Sequence, residues 1–278
     1  MPVASGAWRP LVGNSKADME APVHFEKRLQ ARFGERLKGF NKPAPPRHRE
    51  PMQMHAVDFI IKTIRDNPGE ISVVATGPQT NVAMALRQAP DIAQKVKQFV
   101  VLGGCFQTPG NITPVSEYNI WADPEAADIV LGSGAPVILV PLDVCEDNRV
   151  AASMLTRDDL ADLASGPRGP VVDHVVETFP IYIDIWRDFF ELVGFPLDDA
   201  IAIATVHRPE LFKMTKPLYV NVARHERLVR GQTVAHRGCQ ILDFSGPVTT
   251  RICQDLDGAA FLHSFKEALR NIDKMRAK

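Results

Sequence analysis

The segment KQFVVLGG, residues 97–104, predicts a buried strand, and the fold class follows from what stands on either side of it. Its apolar run is continuous, which is typical of a strand in a parallel sheet covered on both faces. Similar runs precede and follow it, ISVVATG (71–77) and APVILVPLDV (135–144). Apolar residues at helical spacing fill the gaps, in PQTNVAMALRQAP (78–90) and DPEAADIVLGSG (123–134). This alternation predicts right-handed βαβ units and an α/β fold with a mostly parallel sheet flanked by helices.

Further elements are predicted outside these three strands. HAVDFIIKTIRDNPG (55–69) has apolar residues at helical spacing and stops at Pro-Gly, and GAAFLHSFKEALRNIDKM (258–275) reads as a closing helix. Residues 156–206 are mostly helical in pattern. PLYVNVAR (217–224) and QTVAHRG (232–238) are candidates for a late pair of strands.

Residues 14–53 are the least regular part of the sequence. They carry many charges and the stretch PAPP (43–46), which cannot lie inside a helix, and one helix is expected near 24–38. A chain of 278 residues suits one large α/β domain or two small ones. We expect a single domain over residues 1–278, with 14–53 as an irregular excursion.

Composition and charge exclude several classes of protein. Apolar residues make up 45% and charged residues 23%, as expected of a globular chain with a full core. The formal net charge of −1 argues against a nucleic-acid partner, and no apolar run approaches the roughly 18–20 residues that span a membrane. The start, MPVASGAWRPLVG, lacks the pattern of a signal peptide. The four cysteines have no C-x-x-C spacing and fit reduced thiols, so we expect a cytoplasmic protein.

The stretch PGNITPVSEYNIWADPEAA (109–127) places polar side chains just past the end of a predicted buried strand. In an open parallel sheet, ligands bind beyond the carboxyl ends of the strands, so this stretch is expected to overhang a pocket. Asn111, Glu117 and Asn119 offer amide donors and carboxylate acceptors, a mixture that suits a polyhydroxylated ligand such as a sugar. The alternative is that these side chains only cap turns and the next helix.

Two aspartates precede an apolar helix in FPLDDAIAIA (195–204). Asp198 and Asp199 are either helix-capping and first-turn acids or ligands of a hard cation such as Ca²⁺ or Mg²⁺. Thr80 is a further candidate cap, for the helix after the first strand. On residue types alone, both interpretations of the aspartates stay open.

Motifs of several common enzyme classes are absent from the sequence. Its eight histidines form neither H-x-x-x-H nor H-E-x-x-H, which argues against a zinc hydrolase. There is no G-x-S-x-G elbow for an α/β-hydrolase nucleophile. The glycines after the second strand do not form G-x-G-x-x-G, so a nucleotide-binding oxidoreductase is only weakly supported.

Five segments together resemble the inosine–uridine preferring nucleoside hydrolase family, and the similarity runs from residue 2 to the closing helix. The block over residues 97–130 is the most specific part of the resemblance. The segments are PVASGAWRPLV (2–12), VVATGPQTNVAMAL (73–86), VVLGGCFQTPGNITPVSEYNIWADPEAADIV (100–130), VILVPLDV (137–144) and PLDDAIAIATVHRPELF (196–212).

The resemblance implies a Rossmann-like fold and a calcium-dependent enzyme that cleaves ribonucleosides to free base and ribose. Members of the family are homodimers or homotetramers, so the expected partners are a ribonucleoside and further copies of the chain. By motif position, Asn111, Glu117 and Asn119 match ribose-binding residues. Tyr118 matches an aromatic residue beside the nucleoside.

The resemblance also implies a Ca²⁺ site. Thr76 matches a residue whose backbone carbonyl binds calcium, and Asp199 matches a calcium-ligating aspartate. Family members open with D-T-D-x-G-x-D-D, which supplies most of the metal ligands and the base that activates water, and this sequence has no such segment. One carboxylate and one carbonyl are too few for the roughly 6–8 oxygen ligands of Ca²⁺. We therefore expect the chain as given to retain calcium poorly and to show no calcium-dependent activity.

Asp198 stands where many family members have a histidine as the leaving-group acid, which makes it the candidate catalytic acid. Because an unperturbed Asp has a pKa near ~3.9, we expect it to be ionised and a poor acid at neutral pH unless it is buried. Phe33, in FGERLKG (33–39), replaces a histidine of another family element. These departures leave an alternative, a catalytically inactive relative that binds a nucleoside or a protein partner.

Overall fold

The computed structural model describes residues 2–14, 20–37, 50–166, 168–238 and 245–276. The chain forms two compact units. The first comprises Met1–Gly13, Pro51–Ser153 and Pro196–Phe261, and the second comprises Asn14–Glu50, Met154–Phe195 and Leu262–Lys278. No helix in the described ranges is long and apolar enough to cross a membrane.

The elements are numbered in chain order. The strands are β1 (Ser72–Ala75), β2 (Gln98–Leu102), β3 (Val137–Val140), β4 (Phe212–Met214), β5 (Tyr219–Val222), β6 (Thr233–His236) and β7 (Thr250–Leu256). The α-helices are α1 (Ala21–Phe33), α2 (Ala56–Asp66), α3 (Thr80–Gln88), α4 (Tyr118–Ala122), α5 (Pro124–Leu131), α6 (Arg157–Ser165), α7 (Pro170–Phe190), α8 (Asp198–His207) and α9 (Gly258–Arg276).

One five-stranded sheet organises the first unit, in the order β1-β2-β3-β7-β4. β1, β2, β3 and β7 run parallel, and one row of residues crosses them in register from Val74 through Val100 and Ile138 to Arg251. β4 pairs antiparallel with β7, and β5 and β6 form a separate antiparallel ribbon. The mostly parallel, Rossmann-like α/β sheet that the sequence predicts is confirmed.

Burial explains why the continuous apolar runs become the inner strands. Phe99 and Val101 of β2 and Leu139 of β3 are at most 1% exposed and cluster with the apolar residues of α2, α3 and α5. Helix α8 packs against β1 and β2. β1 lies at the edge of the described sheet, and all four of its residues are only half-buried.

The prediction that Thr80 caps a helix is wrong. Helix α3 begins at Thr80 itself, and its N-cap is Gln79, which makes no capping hydrogen bond. The Thr80 hydroxyl instead donates to Oδ2 of the buried Asp123 over 2.5 Å. Asp123 caps α5, because its Oδ1 accepts from the backbone N–H of Ala126. Thr80 therefore ties two helices together.

Strand β7 lies between β3 and β4 in the sheet and was not predicted from the sequence. Its residues alternate irregularly between buried and exposed positions, because polar side chains such as Arg251 and Gln254 interrupt the apolar run. Its neighbour β4 is only three residues long. The predicted late pair of strands does form, as the ribbon of β5 and β6.

The second unit is built from α1, α6, α7 and most of α9. Phe33 is buried there with Ile181 and Ile185, so this aromatic ring packs into a core. The carboxylate of Asp184 is buried beside the guanidinium groups of Arg157 and Arg187.

The helix expected near residues 24–38 is α1, followed by a 3₁₀ turn over Gly34–Leu37. Residues 15–19 and 38–49, with the PAPP stretch, lie outside the described residues.

Candidate active site

Two glycines let the chain turn sharply after β2. Gly104 has a φ of +82°, which favours glycine. At Gly103 a Cβ would lie 2.8 Å from Oε2 of Glu117, closer than carbon and oxygen can pack. The glycines therefore allow a carboxylate to sit directly against the end of the strand.

Glu117 is a buried carboxylate held by backbone amides. It is 4% exposed and accepts hydrogen bonds from the N–H groups of Asn119 (2.7 Å), Ile120 (3.0 Å) and Gly104 (3.1 Å). Burial raises the pKa of Glu117 to about 7, although the three N–H groups oppose the rise. The side chain caps α4, as the alternative interpretation of the sequence expects. Three of its roughly four acceptor positions are used, which leaves one for a ligand.

Asn119 is buried, with both hydrogens of its carboxamide committed. Its Nδ2 donates to the backbone carbonyls of Leu102 (3.2 Å) and Thr76 (3.4 Å). Leu102 is the last residue of β2, and Thr76 directly follows the last residue of β1. Asn119 therefore keeps only its carboxamide oxygen for another partner, and that oxygen can accept but not donate.

Asn111, in contrast to Asn119, can still donate a hydrogen bond. Its Oδ1 accepts from the backbone N–H of Tyr118 over 2.9 Å, and its Nδ2 donates to Oε1 of Glu146 over 3.1 Å. One amide hydrogen is left to donate. The Tyr118 ring is 45% exposed and lies 6.3 Å from the ring of Trp121.

A pair of carboxyl groups adjoins this loop. The carboxyl groups of Glu146 and Asp198 lie within hydrogen-bonding reach of each other, and a hydrogen bond between two carboxyl groups requires that one of them be protonated. Burial, and next the charge of Glu146, raises the pKa of Asp198 well above its usual range. Burial also raises the pKa of Glu146. Oδ1 of Asp198 is buried without a hydrogen-bond partner among the described residues.

The structure bears on two inferences from the sequence. The condition attached to the expectation of an ionised Asp198 is met, because the group is buried against a second carboxyl group and this environment favours its protonated form. Glu146 was not identified as a site residue. Its only signal in the sequence is its position shortly after β3, at the edge of the sheet where ligands bind.

The predicted metal ligands do not form a calcium site by themselves. In the described ranges, no three His, Cys, Asp or Glu side chains are placed to hold a metal. Asp199 is exposed, and the Thr76 carbonyl already accepts from Asn119. Both donors are hard oxygens of the kind Ca²⁺ binds, but two are too few for its roughly 6–8 ligands.

A cavity of about 220 Å³ lies elsewhere, at the carboxyl end of β3 and alongside β7. Pro141, Arg149, Ile252 and Asp255 are among its lining residues, and none of the sequence-predicted site residues lines it. The carboxamide and carboxylate cluster is therefore a separate feature of the same sheet edge.

Fold and cluster together define a class of protein. A parallel sheet with amide donors, amide acceptors and carboxyl groups beyond its strand ends defines an α/β protein in which the chemistry at that edge suits a small polyhydroxylated ligand. The family described as inosine-uridine preferring nucleoside hydrolase matches residues 1–263, and the chain belongs to that family.

Individual relatives agree with this assignment. A pyrimidine-specific ribonucleoside hydrolase of Citrobacter koseri is 34% identical over 271 residues, 97% of this chain and 79% of that protein. An uncharacterized protein of Schizosaccharomyces pombe is 36% identical over 191 residues, and these cover 68% of this chain but only 59% of that protein. A solved purine-preferring ribonucleoside hydrolase from Gardnerella vaginalis has a TM-score of 0.78 at 25% identity, covering 99% of this chain and 81% of that one.

The comparisons confirm three inferences from the sequence: the family, the fold and the enzyme class of nucleoside N-ribohydrolase. The roles of Asn111, Glu117, Tyr118 and Asn119, and those of the metal ligands and the acid, stay predictions.

Proposed function

We propose that the chain hydrolyses the N-glycosidic bond of ribonucleosides and releases free base and ribose. The proposal rests on the hydrogen-bonding groups that two asparagines still have free. Asn119 keeps an acceptor oxygen, and Asn111 keeps a donor N–H. Ribose hydroxyls both donate and accept, so this pairing suits the sugar common to all ribonucleosides. The names of the relatives support the same substrate class.

Glu117 would act on the charge that develops in the sugar. Cleavage of the glycosidic bond leaves positive charge on the ribose ring, and a fixed carboxylate beside the ring stabilises it. The three backbone N–H groups that hold Glu117 keep this carboxylate in place before the reaction begins. The exposed Tyr118 ring would lie against the nucleoside.

Asp198 would supply the proton that the departing base needs. Burial and next the charge of Glu146 raise the pKa of Asp198, which favours the protonated form that a general acid needs. A general acid that is protonated near the working pH can transfer its proton as the bond breaks. Calcium dependence remains an expectation from the family, and we assign no step to the metal because the described donors do not fit it.

A nucleoside-binding protein without catalytic activity is the second candidate. The shortage of metal ligands around Asp199 and Thr76 favours it. The relatives differ in the base they prefer: one is named as pyrimidine-specific and another as purine-preferring, so both kinds of nucleoside are to be tested.

The test combines ribose release with binding. The purified chain is incubated with uridine and inosine, and binding of both is measured by calorimetry. Hydrolysis with ribose release supports the enzyme, and binding without release supports the second candidate. If the chain neither binds nor hydrolyses the nucleosides, both candidates are refuted. Because Asn119 is assigned to the sugar, Asn119→Ala should weaken the interaction with both nucleosides by similar factors. A loss confined to one nucleoside would place this residue against the base.

A further inference from the structure

Glu146 joins two parts of the candidate site that are distant in sequence. Its Oε1 accepts from Nδ2 of Asn111, 35 residues earlier, over 3.1 Å. Its carboxyl group also adjoins that of Asp198, at the start of α8. The segment after β3 thus holds one group from the loop after β2 and one from a helix terminus.

The hydrogen bonds of Asn111 fix which way its carboxamide faces. The backbone N–H of Tyr118 can only donate, so the atom facing it over 2.9 Å must be the carboxamide oxygen. The nitrogen then faces Glu146, which accepts from it. Without Glu146 the Nδ2 side would have no acceptor among the described residues, and the direction of the remaining N–H would no longer be fixed.

We propose that Glu146 is a positioning residue: it fixes the carboxamide of Asn111 so that its free N–H is presented to an oxygen of the bound ribose. This inference rests on the proposed function, because it takes Asn111 to contact the nucleoside. Glu146 does not itself contact the ligand, and its effect on binding passes through Asn111.

A double-mutant cycle with uridine tests this dependence. Glu146→Ala and Asn111→Ala should each weaken uridine binding by up to about tenfold, the upper end of the usual scale for one lost hydrogen bond between neutral groups. The double variant should bind no more weakly than Asn111→Ala alone, because both changes remove the same contact. Glu146→Gln should recover most of the affinity, since its oxygen can still accept from Asn111. Glu210→Gln, at an exposed carboxylate paired with Arg208, is the matched control and should change nothing.

A second measurement does not depend on ligand binding. The side-chain amide signals of Asn111 in ¹H–¹⁵N spectra are identified by their loss in Asn111→Ala. In Glu146→Ala they should move toward the values of a solvent-exposed asparagine and exchange faster with water, while in Glu146→Gln they should stay near the wild type. Glu146→Asp, one methylene shorter, serves the same purpose if the alanine variant does not fold.

The outcomes separate this proposal from the proposed function. If the wild-type chain does not bind uridine, the nucleoside assignment fails, and the Asn111 signals still decide whether Glu146 holds that side chain. Unchanged Asn111 signals in Glu146→Ala would overturn the positioning role. Full uridine affinity in Glu146→Ala would also overturn it. A double variant that binds uridine about a hundredfold more weakly would do the same, because the two single losses would then be independent.

Discussion

At the scale of the residue, Glu117 combines a structural and a chemical role. Its carboxylate caps α4 through three backbone N–H groups, and the same bonds hold it at the end of β2. The two interpretations that the sequence leaves open for this residue are therefore compatible. A capped carboxylate is rigid, and one acceptor position remains free for a ligand.

The raised pKa of Glu117 predicts a pH dependence of stability. Its pKa is about 7 in the folded chain against 4.5 in the unfolded one, so between these values the folded state binds more protons. The free energy of unfolding should then fall as the pH rises from about 4.5 to about 7, by roughly 3 kcal/mol from this group. Urea unfolding across that range measures the fall.

Glu117→Gln is the informative variant for that measurement. It cannot ionise, so its stability should depend less steeply on pH, although the loss of one acceptor oxygen lowers its stability at every pH. Some slope remains because the pKa of Glu146 is also raised. An unchanged slope in Glu117→Gln would show that this carboxyl group does not titrate in the range.

The buried cysteines make a second prediction at this scale. Burial raises the pKa of Cys105 and of Cys253 to about 12, and raises that of Cys145 well above 9.0. Thiols react with disulfide reagents as thiolates, so these groups should be unreactive at neutral pH in the folded chain. In a Cys239→Ser background, a thiol assay should detect no cysteine before unfolding and all three after it. Fast reaction in the folded state would mean that the thiols are not buried.

At the scale of the element, the turn after β2 depends on glycine. A Cβ on Gly103 would meet Glu117 Oε2 at 2.8 Å and Ile120 Cγ1 at 2.9 Å. Gly103→Ala should therefore destabilise the chain by about 1–3 kcal/mol, the usual cost of overpacking. Gly77→Ala is the matched control, because a Cβ there meets nothing within 4 Å. Chemical denaturation of both variants measures the difference, and equal stabilities would contradict the packing around Glu117.

Elements with a clear period were predictable from the sequence, and contacts between distant residues were not. The continuous apolar runs of β2 and β3 identify buried parallel strands, and the apolar spacing of α2 identifies a helix. β7 was not predicted because its buried residues do not repeat at regular spacing in the sequence; which of them are buried depends on the neighbouring strands. The hydrogen bond between Glu146 and Asn111 joins residues 35 positions apart, so no local sequence pattern predicts it.

At the scale of the whole molecule, two compact units make up a chain of one family. The sheet and the cluster of Asn111, Glu117, Asn119, Glu146 and Asp198 belong to the first unit. A single domain over residues 1–278 and assembly into a homodimer or homotetramer stay predictions. Sedimentation velocity of the purified chain decides the second of these.

Calcium retention is the prediction that concerns the chain as a whole. In the described ranges, the expected ligands are the exposed carboxylate of Asp199 and the Thr76 carbonyl, which already accepts from Asn119. Asp198 adds little, since burial and the neighbouring charge of Glu146 raise the pKa of its carboxyl group and so disfavour the ionised form that binds a cation. Two donors against the roughly 6–8 that Ca²⁺ takes should give weak binding.

After equilibration with excess Ca²⁺ and dialysis, metal analysis should find far less than one ion per chain, with no difference between the wild type and Asp199→Ala. One retained ion per chain, lost in Asp199→Ala, would show that these residues do form the core of a metal site.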